Sequence, residues 1–171
     1  MLQLDLDDAL SDGLETGMAG RNSFEIALAS RQRKLGVTLQ VPSGLVVSSD
    51  DEVRRNLAQV LRECALVPVL ASTVAESAVT LPGHGILIVI CDDFLDDGQY
   101  EDIVKLAVRS QMQMPVVVVS RTGDWPQYIT AICAGAFDYL TFPPIPGDLH
   151  QTIRNALLGQ QLHVGENGEA A

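Results

Sequence analysis

The stretch Ile86-Leu-Ile-Val-Ile-Cys-Asp-Asp93 decides the fold. Its apolar part, 86–91, is far too short to span a bilayer. It is apolar on both faces, as a strand is in the middle of a parallel sheet covered on both sides. Two aspartates follow it directly. In such sheets ligand chemistry lies beyond the carboxyl ends of the strands, so the residues just after each strand are the candidates for function.

Reading outward from 86–91, short apolar runs at 45–47, 67–71, 115–119 and 137–140 predict four more strands. Between and after them the period changes to that of helices, at 51–64, 73–81, 100–111, 125–134 and 148–158. Val53, Leu57, Val60, Leu61 and Cys64 share one face of the first of these. Ile103, Leu106 and Ala107 do so in the third, and Leu149, Ile153 and Leu157 in the last. Ser49 or Asp50 is placed to cap the first helix, and Gly135 to end the fourth. Five strands alternating with five helices predict an α/β fold. The expected architecture is a doubly wound five-stranded parallel sheet, flavodoxin-like, of order 2-1-3-4-5, with helices on both faces.

The 171 residues suffice for one domain with a sizeable core. They are 47% hydrophobic but only 5% aromatic, so that core is aliphatic. Residues 43–160 form the body. Residues 1–42 read as an N-terminal extension whose first 17 positions carry five acidic side chains and no basic one. Within it, 23–35 reads either as a short helix or as part of a flexible tail. Residues 161–171 are polar and contain glycine, which suggests a frayed tail.

The formal net charge is −11, from 22 acidic and 11 basic residues. That balance is a poor match for nucleic acid or an anionic membrane. No basic stretch leads into an apolar one at the N-terminus, so neither a signal peptide nor membrane insertion is expected. Cys64, Cys91 and Cys133 form no CxxC pair, and the expectation is a cytoplasmic protein with reduced thiols. His84, His150 and His163 are expected at the surface.

After the first strand come Ser48, Ser49, Asp50 and Asp51. After the third come Asp92 and Asp93, after the fourth Ser120, and after the fifth Thr141, Phe142 and Pro143. These ends lie near one another in a doubly wound sheet. An aspartate there is a candidate nucleophile for a phosphoryl group. The phosphoryl oxygens would need a cation and hydrogen-bond donors.

Three segments carry a specific resemblance. Cys133-Ala-Gly-Ala-Phe-Asp-Tyr-Leu-Thr141 is similar to the AGAxDYLxKP signature of receiver domains of bacterial two-component response regulators, the CheY-like family. Val89-Ile-Cys-Asp-Asp-Phe-Leu-Asp-Asp-Gly98 resembles the family's phosphoacceptor strand and loop. Val46-Val-Ser-Ser-Asp-Asp-Glu-Val-Arg54 resembles its first strand and helix start. The resemblance implies that Asp92 is the phosphoacceptor and a metal ligand. It implies that Ser120 is the hydroxyl that contacts the phosphoryl group, and that Tyr139 is the switch aromatic that turns inward when that hydroxyl moves. It also implies a magnesium ion, a histidine kinase or other signalling protein as partner, and a homodimer as one arrangement.

The match is degenerate in two places. The family's metal-holding acidic pair falls on Ser48 and Ser49, and its lysine falls on Phe142. Magnesium binding should therefore be weak, because serine hydroxyls bring no charge. Asp50 and Asp51 would replace the acidic pair only if the first strand ran two residues longer, which the phase of Val53 and Arg54 opposes. Arg121 is a candidate substitute for the lysine, and otherwise a solvated side chain. Tyr139 reads equally as switch and as filler. Trp125 and Tyr128 read equally as core and as partner surface.

The expected function is an atypical receiver in phosphorelay signal transduction. It is not expected to be an enzyme, and it would act through protein contacts with no DNA-binding output domain. The alternative is a pseudo-receiver, a binding module that works without phosphorylation of Asp92. An unrelated nucleotide binder would want a glycine-rich loop after the first strand, and 48–52 contains no glycine.

Overall fold

The computed structural model describes residues 41–83, 85–110 and 114–166. The chain divides into two units, Met1–Leu39 and Gln40–Ala171. The first unit, with the helix expected at 23–35, lies outside the described residues, as does His84.

The sheet strands are β1 (Ser43–Val47), β2 (Val67–Ala71), β3 (Ile86–Asp92), β6 (Val116–Ser120) and β7 (Asp138–Thr141). All pair in parallel, in the order β2-β1-β3-β6-β7, which is the predicted order with the strands of the main sheet counted one to five. The helices are α1 (Asp51–Glu63), α2 (Val74–Thr80), α3 (Tyr100–Arg109), α4 (Trp125–Ala134) and α5 (Pro146–Glu166). Most observed bounds lie within a residue or two of those expected. The last helix runs farther at both ends than 148–158, beginning at a proline, a residue favoured in the first turn. Between β3 and α3 the chain forms an antiparallel hairpin of β4 (Phe94–Leu95) and β5 (Gly98–Gln99). Its two-residue strands are too short to show a period, so the sequence reads there as plain loop.

Alternation along the strands sorts the core into two layers. Leu45, Val47, Val89, Cys91, Val116 and Val118 face Ile103, Val104 and Ala107 of α3 and Ala131 of α4. Val46, Ile88, Ile90, Val117 and Val119 face Val53, Leu57 and Leu61 of α1 and Leu149, Ile153 and Ala156 of α5. Each fully buried Val, Leu or Ile contributes about 1.5–3 kcal/mol relative to exposure. No helix among the described residues is long and apolar enough to cross a membrane.

Caps set where the helices begin and end. Asp50 accepts the backbone N–H groups of Glu52 and Val53 at 2.7 and 3.3 Å, fixing the start of α1. Asp124 accepts from Gln127 N–H at 3.0 Å and starts α4. Gly135 ends α4 in the left-handed region, at φ 101°. A Cβ there would also lie 3.3 Å from Val104 Cγ1. Gly135→Ala should therefore destabilise the domain by about 1–2 kcal/mol, chiefly through backbone strain. Chemical denaturation should show the change as a lowered midpoint at constant slope.

Candidate functional site

β1 ends at Val47, and Ser48 follows it fully buried. The serines thus occupy the positions just past the strand, and the slipped register that would bring Asp50 and Asp51 there is not adopted. The Ser48 hydroxyl donates to a carboxylate oxygen of Asp92, the last residue of β3. It also accepts from Asp50 N–H at 3.0 Å. Sequence reasoning saw Ser48 only as a missing metal ligand. In the fold it is the hydrogen-bond partner of the candidate phosphoacceptor.

Asp93 is the residue that the sequence undervalued. It reads as a loop acid, yet its Oδ2 accepts from Ser120 Oγ at 2.6 Å. Ser120 therefore reaches Asp93, while Asp92 is held by Ser48. The only signal in the sequence was its place directly after Asp92 at a strand end.

The open cleft at this edge is lined by Asp50, Asp92, Asp93, Phe94, Arg121 and Thr122, together with Ser49 and Asp51. Arg121 donates to the second carboxylate oxygen of Asp50 at the cleft rim. That guanidinium, with the two helix N–H groups, holds the Asp50 carboxyl below the usual carboxylate range. Asp92 behaves oppositely. Burial is the largest influence and pushes its carboxyl up, Ser48 opposes the rise, and the neighbouring Asp93 adds to it.

The hairpin beside the cleft is pinned on three sides. Asp96 N–H donates to Ser49 Oγ at 3.2 Å. Asp97 accepts from the N–H groups of Val74 and Ala75 at 2.7 and 2.9 Å, at the start of α2. Gln99 N–H donates to Asp102 Oδ2 at 3.3 Å, at the start of α3. Asp96 and Asp97 are loop residues between the hairpin strands, as expected.

Phe142, in the lysine position, packs half-buried against the α1–α5 layer of the core. It offers no donor or charge toward the cleft. Cys91 lies in the opposite layer from Asp92's neighbours, fully buried, and burial pushes its thiol far up, so it is no nucleophile. His150 is half-buried on α5, with Nε2 3.0 Å from Glu63 Oε2.

Tyr139 does not line the cleft. It is buried in the sheet, and its hydroxyl donates to Gln127 Oε1 of α4 at 2.7 Å. Trp125 stacks on Tyr128 with ring centroids 5.3 Å apart, and is itself 72% exposed. Tyr128 packs partly against the core. Ile129, one helical turn from Trp125 on α4, is exposed as well, and so is Phe137 just before β7.

A magnesium ion wants several anionic oxygens in an octahedral shell. The residues present do not fit it. Ser48 and Ser49 bring no charge, Asp50 is committed to Arg121 and the α1 N-terminus, and Asp92 is held by Ser48. Among the described residues no group of three or more His, Cys, Asp or Glu side chains is placed to hold a metal ion.

No family model matches the chain. It is 30% identical over 113 residues to the response regulator protein PilR of Pseudomonas aeruginosa, across 66% of this chain and 25% of PilR. It is 26% identical over 122 residues to the photosynthetic apparatus regulatory protein RegA of Rhodovulum sulfidophilum, across 71% of this chain and 65% of RegA. A solved response regulator receiver domain from Clostridium thermocellum is 26% identical, with a TM-score of 0.64. That likeness covers 71% of this chain and 98% of the solved one. The chain thus spans about a quarter of PilR and less than two thirds of RegA.

The raised carboxyl of Asp92 has a thermodynamic sign. Its pKa is higher folded than unfolded, so the folded state holds the proton more tightly. Stability from this group is lost as pH rises through the window between the two values. Asp92→Asn removes the charge and keeps an acceptor for Ser48. Thermal unfolding across pH should find this variant more stable than the parent at neutral pH, with the gap closing in acid where Asp92 is protonated.

Proposed function

We propose that residues 43–160, a CheY-like receiver domain by their likeness to response regulators, act as an atypical receiver, a contact module whose output does not need a phosphoryl group on Asp92. The observation that carries this reading is the Ser48 hydroxyl bonded to Asp92 where the resemblance implies a metal-holding acid. Phe142 supports it by filling the lysine position with a packed apolar ring. The two cations at this edge are both engaged, Arg121 by Asp50 at the rim and Arg54 by Asp51. A phosphoryl group on Asp92 would thus meet three carboxylates, at positions 50, 51 and 93, and little compensating charge.

Output then belongs to the apolar face around α4 and β7. Trp125 and Ile129 stand four residues apart on one face of α4 and are exposed, as is Phe137 just before β7, and exposed apolar side chains of this kind favour a protein partner. The partner class is a histidine kinase or another signalling protein, with a second copy of this domain as the other arrangement. Contact rather than turnover is the activity, and the cytoplasm the location. The acidic charge of −11 disfavours nucleic acid as the ligand.

The second reading is a receiver that still serves a phosphorelay through Asp92. It is favoured by one observation: Asp92 remains at the carboxyl end of β3, partly exposed in an open cleft. Incubation with acetyl phosphate and magnesium, followed by intact-mass measurement, separates the two. The parent protein is expected to carry no phosphoryl adduct. The combined variant Ser48→Asp, Ser49→Asp, Phe142→Lys is expected to gain one, which shows that the assay can detect it. A stoichiometric adduct on the parent, lost in Asp92→Ala, would establish the second reading instead.

A further inference from the structure

Asp93 is held more firmly than any exposed loop acid needs to be. Its N–H donates to Val119 O at 3.1 Å, and its C=O accepts from Tyr100 N–H at 3.2 Å. One carboxylate oxygen accepts from Phe94 N–H at 3.1 Å. The other therefore points in a fixed direction, and it meets Ser120 Oγ at 2.6 Å. Ser120 is fully buried, so its hydroxyl must find a partner, and a bond to a carboxylate is stronger than one to a neutral acceptor. Ser120 Oγ itself accepts from Thr122 N–H at 3.2 Å. Ser120 thus donates to Asp93 and accepts from Thr122, both of which line the cleft.

Tyr139 lies on the neighbouring strand, where β6 and β7 pair through Val118 and Ser120 opposite Tyr139 and Thr141. Its ring is 7% exposed, and its hydroxyl is tied to Gln127. Gln127 in turn donates its backbone N–H to the Asp124 cap that starts α4. The loop after β6 closes over the ring: a Cβ at Gly123 would lie 3.4 Å from Tyr139 Cε1 and 2.6 Å from Thr141 Oγ1. The ring is in place although no phosphoryl group has drawn Ser120 toward the cleft.

We propose that Asp93 is the positioning residue of this receiver: its carboxylate holds the Ser120 hydroxyl on the cleft side and thereby keeps Tyr139 buried against α4 without a phosphoryl group. This deepens the proposed reading, because the chain itself supplies the anion that Ser120 would otherwise take from a modified Asp92. It also gives the cleft a path to the aromatic face, from Asp93 through Ser120, Tyr139 and Gln127 to the helix that carries Trp125. Burial pushes the Tyr139 phenol up, and the Ser120 side chain is the influence that opposes it, which agrees with the two lying together.

The test uses the full chain labelled with 3-fluorotyrosine. It holds three tyrosines, Tyr100, Tyr128 and Tyr139, and Tyr139→Phe assigns the third fluorine resonance. The readout is the change in that resonance between light and heavy water, which reports solvent contact, measured with no phosphodonor. The parent is expected to show a shielded Tyr139. Asp93→Ala is expected to give it an exposed-type shift or to split it into two states, because the released Ser120 hydroxyl can turn back toward the ring, whereas Ser120→Ala, with no hydroxyl to turn, is expected to leave it shielded. Asp93→Asn, whose amide oxygen can still accept from Ser120, is expected to restore the shielded signal, which general destabilisation would not do. Asp93→Ser, whose short side chain brings no carboxylate to Ser120, serves with the same expectation if Asp93→Ala fails to fold. A Tyr139 resonance unchanged in the Asp93 variants that lack an acceptor for Ser120 would overturn the proposal, and so would an Asp93→Asn resonance as exposed as that of Asp93→Ala. A phosphoryl adduct on Asp92 bears only on the earlier reading, so the two fail separately.

Discussion

The three central strands, β1, β3 and β6, are buried along almost their whole length, and this constraint organises the rest of the domain. With helices packed on both faces, these strands carry Val, Ile and Leu at nearly every position. Polar side chains stand only at the strand ends, Ser43 where β1 begins and the rest where the strands stop. In a parallel sheet those stopping points share one edge. Ser48, Asp92, Asp93 and Ser120 therefore meet because the apolar runs before them end in register, Val47 beside Cys91 and Asp92 beside Val119.

That edge gathers more negative charge than it can leave uncompensated. Where magnesium and a lysine would serve in the resembled family, this chain uses neutral hydroxyls and two arginines, of which Arg54 serves Asp51. Ser48 serves Asp92, Ser120 serves Asp93, and Arg121 with the α1 N-terminus serves Asp50. At Asp92 burial raises the carboxyl, and the Ser48 hydroxyl opposes the rise without cancelling it. The arrangement is closed: each donor is matched to an acid of the same chain. It suits a site that holds a shape better than one awaiting a charged group.

Much of this was legible beforehand, and the reasons are local. The run 86–91 reads as a central strand because nothing in it is polar. Helix α1 reads correctly because Val53, Leu57 and Leu61 recur at helical spacing. The placement of Ser48 and Ser49 after the first strand follows from that same phase. The β4–β5 hairpin was not legible, because two residues per strand leave no period to detect. The role of Asp93 was hidden for another reason. Two successive aspartates look alike in a sequence, and only the turn of the chain after β3 decides that one meets Ser48 and the other Ser120. Trp125 was undecided because an aromatic in the first turn of a helix suits either core or surface. It stacks on Tyr128 and faces outward.

The sequence by itself determined the order of the strands, the two-layered core and which residue types stand at the functional edge. Those follow from periodicity, which is a property of neighbours along the chain. The tertiary structure alone decided the pairing at that edge: which hydroxyl bonds to which carboxylate, where Arg121 turns, and that Tyr139 is buried and tied to Gln127. These are contacts between residues as much as 71 positions apart, as with Asp50 and Arg121. They depend on side-chain direction and on competition for a few donors, and no periodic pattern records either.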